Sequence, residues 1–285
     1  MPLLQKIEKW AGEPVKKSQS VGGGCIAHAE KLVLQSGREL FVKSGVAGQA
    51  VFEKEANGLR ELAKAQAIRI PRVLHVESDF IILEFIATGR AGSNFFENFG
   101  RQFAQMHRFT NEKFGFYEDN YIGATAQSNK PDGTETSNWT AFYFNKRLLF
   151  QIKLAEQKGV LSQRLSRGFS QLENKIEGIL QGSEEPPCLL HGDLWGGNFM
   201  IAENGEPVLI DPAVYYGHRE TDLAMTRLFG GFQPQFYSAY NETYPLPHGW
   251  QERINIYKLY HVLNHLNLFG SSYLGQAESL VWGYL

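Results

Sequence analysis

Only two cysteines occur in the 285 residues, Cys25 and Cys188. They cannot build a disulfide framework and, far apart in sequence, form no metal-type cluster, so a reduced, cytoplasmic setting is the expectation. A dominant charge is also missing. Lys plus Arg number 28 against 30 for Asp plus Glu, a net charge of −2, which points to neither nucleic acid nor an anionic membrane surface as partner. No apolar run approaches the roughly 20 residues needed to cross a bilayer. The opening "MPLLQKIEKWAGEP" has no long apolar region or small-residue cleavage site, so it does not read as a signal peptide. It reads instead as a short amphipathic helix ended by Gly12 and Pro14. Repeats and low-complexity tracts are absent too.

What is present is apolar and aromatic content, 43% and 13%, sufficient for one large core or two moderate ones. The texture changes along the chain. Residues 15–86 are β-rich: strand-forming stretches in 26–35, a turn at "SGRE" (36–39), a strand at 40–43, and two more at "RVLHV" and 80–86. One helix interrupts them at 49–65, with Val51, Phe52, Leu59 and Leu62 at helical spacing. Helical segments dominate later, at 93–108, 138–158, 162–181, 219–229 and 250–269, with a β patch at 188–211. The ending "VWGYL" falls beyond the last strong helix, leaving little or no tail. This pattern predicts an α+β, bilobal molecule. A β-rich N-lobe with one main helix spans 1–86, a mainly helical C-lobe spans 87–285, and the two enclose a cleft.

The β patch carries "LLHGDLWGGNFMI" (189–201) and "LIDPA" (209–213). His191-Gly192-Asp193 is followed by Asn198 five residues after the Asp, and then by Asp211-Pro212-Ala213. This is the spacing of the protein-kinase catalytic loop and its later metal-binding Asp. The residue types suit that chemistry. Asp193 can accept the proton of an attacking hydroxyl, while Asn198 and Asp211 offer the hard oxygens that Mg²⁺ prefers. Chance turn-forming residues are the bland alternative, and the completeness of the spacing argues against it.

Other features gain meaning beside that loop. Gly22, Gly23 and Gly24 lack the Cβ atoms that would keep a backbone away from phosphate, although three glycines also suit a plain hairpin turn. Lys43, at a strand end, is either an exposed edge residue or the cation that holds ATP phosphates. The latter needs a carboxylate from the following helix, with Glu55 preferred and Glu53 the rival. Residues Glu84, Phe85 and Ile86 sit where the chain crosses between lobes, and there their backbone groups would meet adenine. The other reading is a buried strand with one solvated Glu. Trp195, two residues past Asp193, offers a flat surface for a sugar-amine. Glu220 and Asp222 can bind an amine or brace the loop, and for Asp222 bracing is preferred. His261 and His265 stand at i and i+4 without a third ligand, so packing is the expectation. The aromatic stripe 142–151 reads as core, with Arg147 reaching towards the cleft.

"HGDLWGGN", "DPAVYYGHRETDLA" (211–224) and "FGFYEDNYIGATAQSN" (114–129) together resemble the fructosamine/ketosamine-3-kinase family, over nearly the whole chain. The resemblance implies the protein-kinase-like fold shared with aminoglycoside and choline phosphotransferases. It also implies ATP and Mg²⁺ as cofactors, Asp193 as base, Asn198 and Asp211 as metal ligands, and Lys43 with Glu55 orienting phosphates. Residues 84–86 would receive adenine and Trp195 would touch substrate. The implied reaction phosphorylates a sugar hydroxyl, O3, of a free or protein-bound ketosamine such as fructosamine or ribulosamine, a deglycation step. The competing expectations are a kinase for another amino-alcohol or aminoglycoside, and a nucleotide-binding pseudokinase scaffold. Cys25, directly after the glycines, is either packing or a redox-sensitive thiol near Lys43, with a monomer or a redox-linked dimer as the assembly.

Overall fold

A computed structural model describes residues 1–22, 27–45 and 50–285. The expectations for Gly23, Gly24 and Cys25 lie outside these described residues. Helix α1 (Leu3–Ala11) is closed by Gly12 at φ +74°, as the sequence suggests. Five strands follow, with one helix between the third and fourth: β1 (Val15–Ser20), β2 (His28–Leu34), β3 (Glu39–Ser44), α2 (Val51–Lys64), β4 (Val73–Glu77) and β5 (Phe80–Glu84). They form one antiparallel sheet in the order β1-β2-β3-β5-β4. The β2–β3 turn needs the left-handed conformation at Gly37, φ +89°, which glycine adopts without steric cost.

Side chains alternate along a strand, and here the alternation decides where Lys43 goes. Leu40 and Val42 point to α1, packing with Ile7, Leu32, Leu34, Phe80 and Ile82. Phe41 and Lys43 therefore point to the opposite face, where their β5 partners Leu83 and Ile81 join Phe52, Leu59 and Leu62 of α2 in the main core. Because β5 is buried on both faces, "FIILE" shows a continuous apolar run rather than alternation.

The rest of the chain packs around α10 (Trp250–Phe269), which buries residues on nearly every side, among them Ile256, Tyr257, Leu259, Tyr260, Leu263 and Leu266. Before it come α3 (Phe95–His107), the hairpin β6–β7 (Asn120–Ile122 and Thr125–Gln127), and α4 (Trp139–Phe142). The chain then runs through a π-helical stretch, Tyr143–Leu149, into α5 (Phe150–Gln157), followed by α6 (Gln163–Glu173) and α7 (Ile176–Leu180). Strands β8 (Cys188–Leu190) and β11 (Tyr215–Gly217) pair, as do β9 (Phe199–Ile201) and β10 (Pro207–Leu209). Helices α8 (Glu220–Met225), α9 (Pro234–Thr243) and α11 (Leu274–Trp282) complete the fold.

Several expectations are corrected. The helix expected over 162–181 is two helices. At the break, the Asn174 and Lys175 amides bond to carbonyls three residues back, Gln171 and Leu172, tightening the last turn of α6. The "VWGYL" segment does not lie beyond the last helix, since α11 reaches Trp282 and buries Val281. Arg147 does not reach the cleft: it is wholly buried, its guanidinium 3.9 Å from the Tyr215 ring centre.

Helices α3 and α9 approach most closely at Gly100, where a Cβ would stand 2.1 Å from the Phe236 carbonyl oxygen. Backbone cannot move aside as a flexible side chain can, so Gly100→Ala should overpack this contact at about 1–3 kcal/mol. A thermal melt should show a loss of several degrees; an unchanged melting temperature would contradict this close packing.

Candidate active site

Buried strand β8 delivers the chain into the loop that begins at His191. The turn there is built on Gly192, at φ +81°, where a Cβ would lie 2.0 Å from the Ala213 carbonyl oxygen. No other residue fits, and the close approach lets the Ala213 amide donate to the His191 carbonyl at 2.8 Å. Asp222, at the start of α8, accepts the backbone N–H groups of His191 (2.7 Å) and Gly192 (2.8 Å). Its bracing role is therefore the one the geometry supports. Burial opposes the Asp222 charge, but His107 beside it and these amides outweigh burial and hold its carboxyl below the usual value.

Both loop-bracing histidines have one consistent tautomer. His107 Nε2 faces Asp222 at 3.3 Å and Nδ1 faces the Tyr240 hydroxyl at 2.7 Å, so Nε2 donates and Nδ1 accepts. His191 Nε2 donates to the Ile210 carbonyl (2.9 Å), and its Nδ1 accepts from the Asp193 amide (3.3 Å). Burial lowers both pKa values, keeping the rings neutral, as this pattern requires.

The loop presents Asp193 half-buried. Burial pushes its carboxyl well above the usual range. The Asp211 and Asp222 charges push the same way and the Asn198 hydrogen bond opposes them. Asn198 donates its amide to the Asp193 carbonyl (2.7 Å) and carboxylate (3.1 Å). With the amide nitrogen so engaged, Oδ1 is the group left for a cation. Asp211 adopts φ +53°, an uncommon backbone state for a residue with a side chain and one that clusters at functional sites.

Lys43 joins the two halves of the cluster. Its ammonium bonds Glu55 at 2.7 Å and also the Asp211 carboxylate; the helix partner is Glu55 and not Glu53. Burial works against this ammonium, but the Glu55 and Asp211 charges prevail and raise its pKa. Glu55 is pushed upward as well, chiefly by burial, with Asp211 adding to it against the pull of Lys43. One cation thus faces two carboxylates, and Asp193 lies nearby. The donor set fits a divalent cation that keeps waters and binds phosphate oxygens, rather than a closed protein cage. Among the described residues, no three His, Cys, Asp or Glu side chains converge as such a cage.

The remaining site expectations are placed as follows. Gly22 has open space where a Cβ would be. The Glu84 carboxylate pairs with Arg69 (2.7 Å) and Arg72 (3.3 Å), so the solvated-Glu reading is replaced by an ion pair. The Glu84 amide already donates to the Arg72 carbonyl at 2.9 Å, so its N–H is engaged within the protein. The Phe85 ring lies under Lys31, 4.0 Å from its Nζ. Ile86 is buried against Ala202 and Val208 of the β9–β10 region. Trp195 is 39% exposed, its indole seated over Gly197, where a Cβ would clash at 2.5 Å. Glu220 is not free for an amine, because Arg253 holds both of its oxygens at 2.9 and 2.7 Å inside the core. His261 is buried, and His265 Nδ1 bonds the His261 carbonyl, so this pair is packing.

Sequence reasoning missed the supports of α2. Glu118 accepts from Asn57 (2.9 Å) and Lys54 (2.5 Å), and the Tyr216 hydroxyl donates to Glu61 (2.8 Å). These bonds fix the helix that aims Glu55, and their partners lie 61–155 residues apart. Local spacing carries no signal of them.

A family model of fructosamine kinase matches residues 3–285. The chain belongs to the fructosamine kinase family. Like the chloroplastic protein-ribulosamine 3-kinase of Arabidopsis thaliana, it has family sequence throughout: the two are 41% identical over 95% of this chain and 83% of the relative. A solved Thermobifida fusca chain that carries the fructosamine-3-kinase name superposes with TM-score 0.89 at 31% identity, covering 99% and 98% of the two chains. The aminoglycoside phosphotransferase APH(2'')-IIa, at 14% identity and TM-score 0.62, shares the fold, so this fructosamine kinase family member has the bilobal kinase architecture.

Asp222 replaces solvent for two buried amides and His107 together. Asp222→Ala should destabilise the protein by several kcal/mol, since each buried donor left without an acceptor costs about 1–3 kcal/mol. Asp222→Asn, which keeps one acceptor oxygen, should cost less. Urea unfolding checks both; unchanged midpoints would show that the loop is held elsewhere.

Proposed function

We propose that this chain transfers the γ-phosphoryl group of ATP to O3 of a ketosamine, a sugar joined through its carbon skeleton to an amine. The observation that carries the reading is the cluster in which Asp211 bonds the Lys43 ammonium beside Glu55 and Asn198 bonds Asp193, in a chain that matches the fructosamine kinase family from end to end. The ribulosamine 3-kinase name of the Arabidopsis relative supports the acceptor class and the O3 position.

Asp193 accepts the proton of the sugar hydroxyl as that oxygen bonds to phosphorus and the bond to the ADP oxygen breaks. The Asn198 amide, donating to the Asp193 carboxylate, fixes which oxygen faces the acceptor. Lys43 neutralises the α- and β-phosphates, and Glu55 keeps it aimed. Asn198 Oδ1 and the Asp211 carboxylate would hold Mg²⁺, which when bound supplies positive charge to the phosphate oxygens. The backbone of Glu84, Phe85 and Ile86 receives adenine, and Gly22, with open space in place of a Cβ, faces the phosphates. Trp195 packs against the sugar-amine. A phosphate on O3 makes the adduct prone to release, so the reaction serves repair of glycated amines. No helix among the described residues is long and apolar enough to cross a membrane, and a cytoplasmic, ATP-supplied setting suits the chemistry.

Asp193→Asn should keep ATP affinity while lowering turnover by roughly 10²–10⁴-fold, the contribution of a positioned base. Turnover close to that of the parent would show that another group takes the proton. The pH dependence follows from the same burial. The raised Asp193 pKa makes the basic form available only above that raised value. In the parent, kcat/KM should therefore fall as pH drops through a point above the usual carboxylate range. The residual activity of Asp193→Asn should lack that limb.

A further inference from the structure

A row of aromatic rings leads away from the catalytic loop. The Trp195 ring meets Phe229 edge-on, with ring centres 5.8 Å apart. Phe229 lies 5.0 Å from His265, which lies 5.5 Å from Phe269 and 5.1 Å from Tyr273. The far end is built by Gly270, whose φ of +82° ends α10 and folds the turn Ser271–Tyr273 back, so that Tyr273 stands 6.1 Å from Phe269.

The row is exposed where a core would be covered. Trp195, Phe229 and Phe269 are 39%, 42% and 60% exposed. Among the described residues, seven large hydrophobic side chains are exposed, and these three belong to one continuous row. Scattered exposed apolar residues need no explanation, but a contiguous strip marks a binding surface.

Continuity and length identify its occupant. The strip starts two residues from Asp193, at the side chain assigned to the sugar-amine. Its three ring-to-ring steps from Trp195 to Phe269 trace a path about as long as five extended residues, with four rings where one sugar would need a single platform. A ketosamine has a single exit from its sugar, the amine nitrogen, and whatever that nitrogen is attached to must leave the site. A peptide bearing the sugar on a lysine would leave along this strip. Burial lowers the His265 pKa, so the strip is uncharged and its ring faces suit apolar side chains and a cationic amine.

We infer that Phe229, His265, Phe269 and Tyr273 form a carrier subsite, which binds the peptide chain flanking a glycated lysine and makes peptide-borne ketosamines better substrates than free ones. The inference rests on the ketosamine kinase reading and adds what lies beyond the sugar.

The test uses ATP and two acceptors: N-α-acetyl-lysine glycated on its side chain, and a short peptide carrying the same modified lysine with leucine or phenylalanine two residues to either side. The parent should show the higher kcat/KM on the peptide. Phe269→Ala should remove most of that advantage, about tenfold for one aromatic contact, and leave the free acceptor, the KM for ATP and the melting temperature as in the parent. Trp195→Ala should damage both acceptors. Equal kcat/KM on the two acceptors in the parent, or equal loss on both in Phe269→Ala, overturns the subsite while leaving the kinase reading intact. So does self-association in sedimentation that Phe269→Ala abolishes while peptide phosphorylation is unchanged; the strip is then an interface between copies. If the parent phosphorylates neither acceptor, the kinase reading fails and the subsite with it.

Discussion

One ammonium group, Lys43 Nζ, ties together three pieces of the chain that are far apart in sequence. It sits on β3, and the period-two alternation of that strand turns it towards α2 and the cleft. Glu55 comes from α2, and Asp211 from the segment after β10. Coulomb attraction among partly buried groups is stronger than at the surface, so this junction sets how the sheet meets the loop. It is also unbalanced, because two carboxylates share one cation. Burial is the chief cause of the upward push on the Glu55 pKa, and the Asp211 charge adds to it. A second cation at Asp211 would relieve the imbalance, and Asp211 is the place the proposed reaction gives to the metal.

An unbalanced junction cannot by itself hold Asp211 in its uncommon backbone state, and a buried amide network supplies the rest. The Asn120 amide donates to the Val214 carbonyl (2.8 Å) and that of Gln127 to the Ala213 carbonyl (3.0 Å). Asn129 and Gln127 both donate to Asn120 Oδ1, the Tyr260 hydroxyl donates to Gln127 Oε1, and Arg147 donates to Asn129 Oδ1. Each neutral hydrogen bond adds only about 1 kcal/mol net, but an unmade one in this interior would cost more. The network therefore specifies one position for residues 213–214, and with them Asp211. The hairpin β6–β7 thus acts as a brace for the residue that faces Lys43. Arg147 ends this network as a cation held by carbonyl, amide and ring faces.

How much of this was legible in the sequence depended on range. The spacing of Asp193, Asn198 and Asp211 is local, whereas the phase of α2 that turns Glu55 rather than Glu53 towards Lys43 could not be fixed from the sequence. The loop spacing was readable because a turn converts spacing directly into geometry. The strands β6, β7 and β11 have three residues each, too few for periodicity to register, so the brace was invisible. Glu220 looked available to an amine because its partner, Arg253, is 33 residues away. Arg147 looked cleft-facing because an aromatic stripe gives a helix phase but not the depth of the groove it packs into. His107 lies 115 residues from Asp222, and only the fold brings them together.

The loop also divides its two substrates by chemistry. On one side of Asp193 stand Asn198, Asp211, Lys43 and Glu55, charged or strongly polar groups that suit phosphates and metal. On the other stands Trp195, continued by Phe229 and a neutral His265, without a formal charge in the row. Asn198 and Trp195 belong to the same loop, joined by the Asn198 backbone N–H donating to the Trp195 carbonyl at 3.0 Å. A shift of either end therefore moves the other. In the proposed reaction, proton transfer needs the acceptor oxygen within hydrogen-bond reach of Asp193, and in-line transfer needs the phosphate on the opposite side of that oxygen. A loop that grips polar groups at one end and ring faces at the other meets both demands with one rigid turn, and Gly192 is what allows that turn to lie against Ala213.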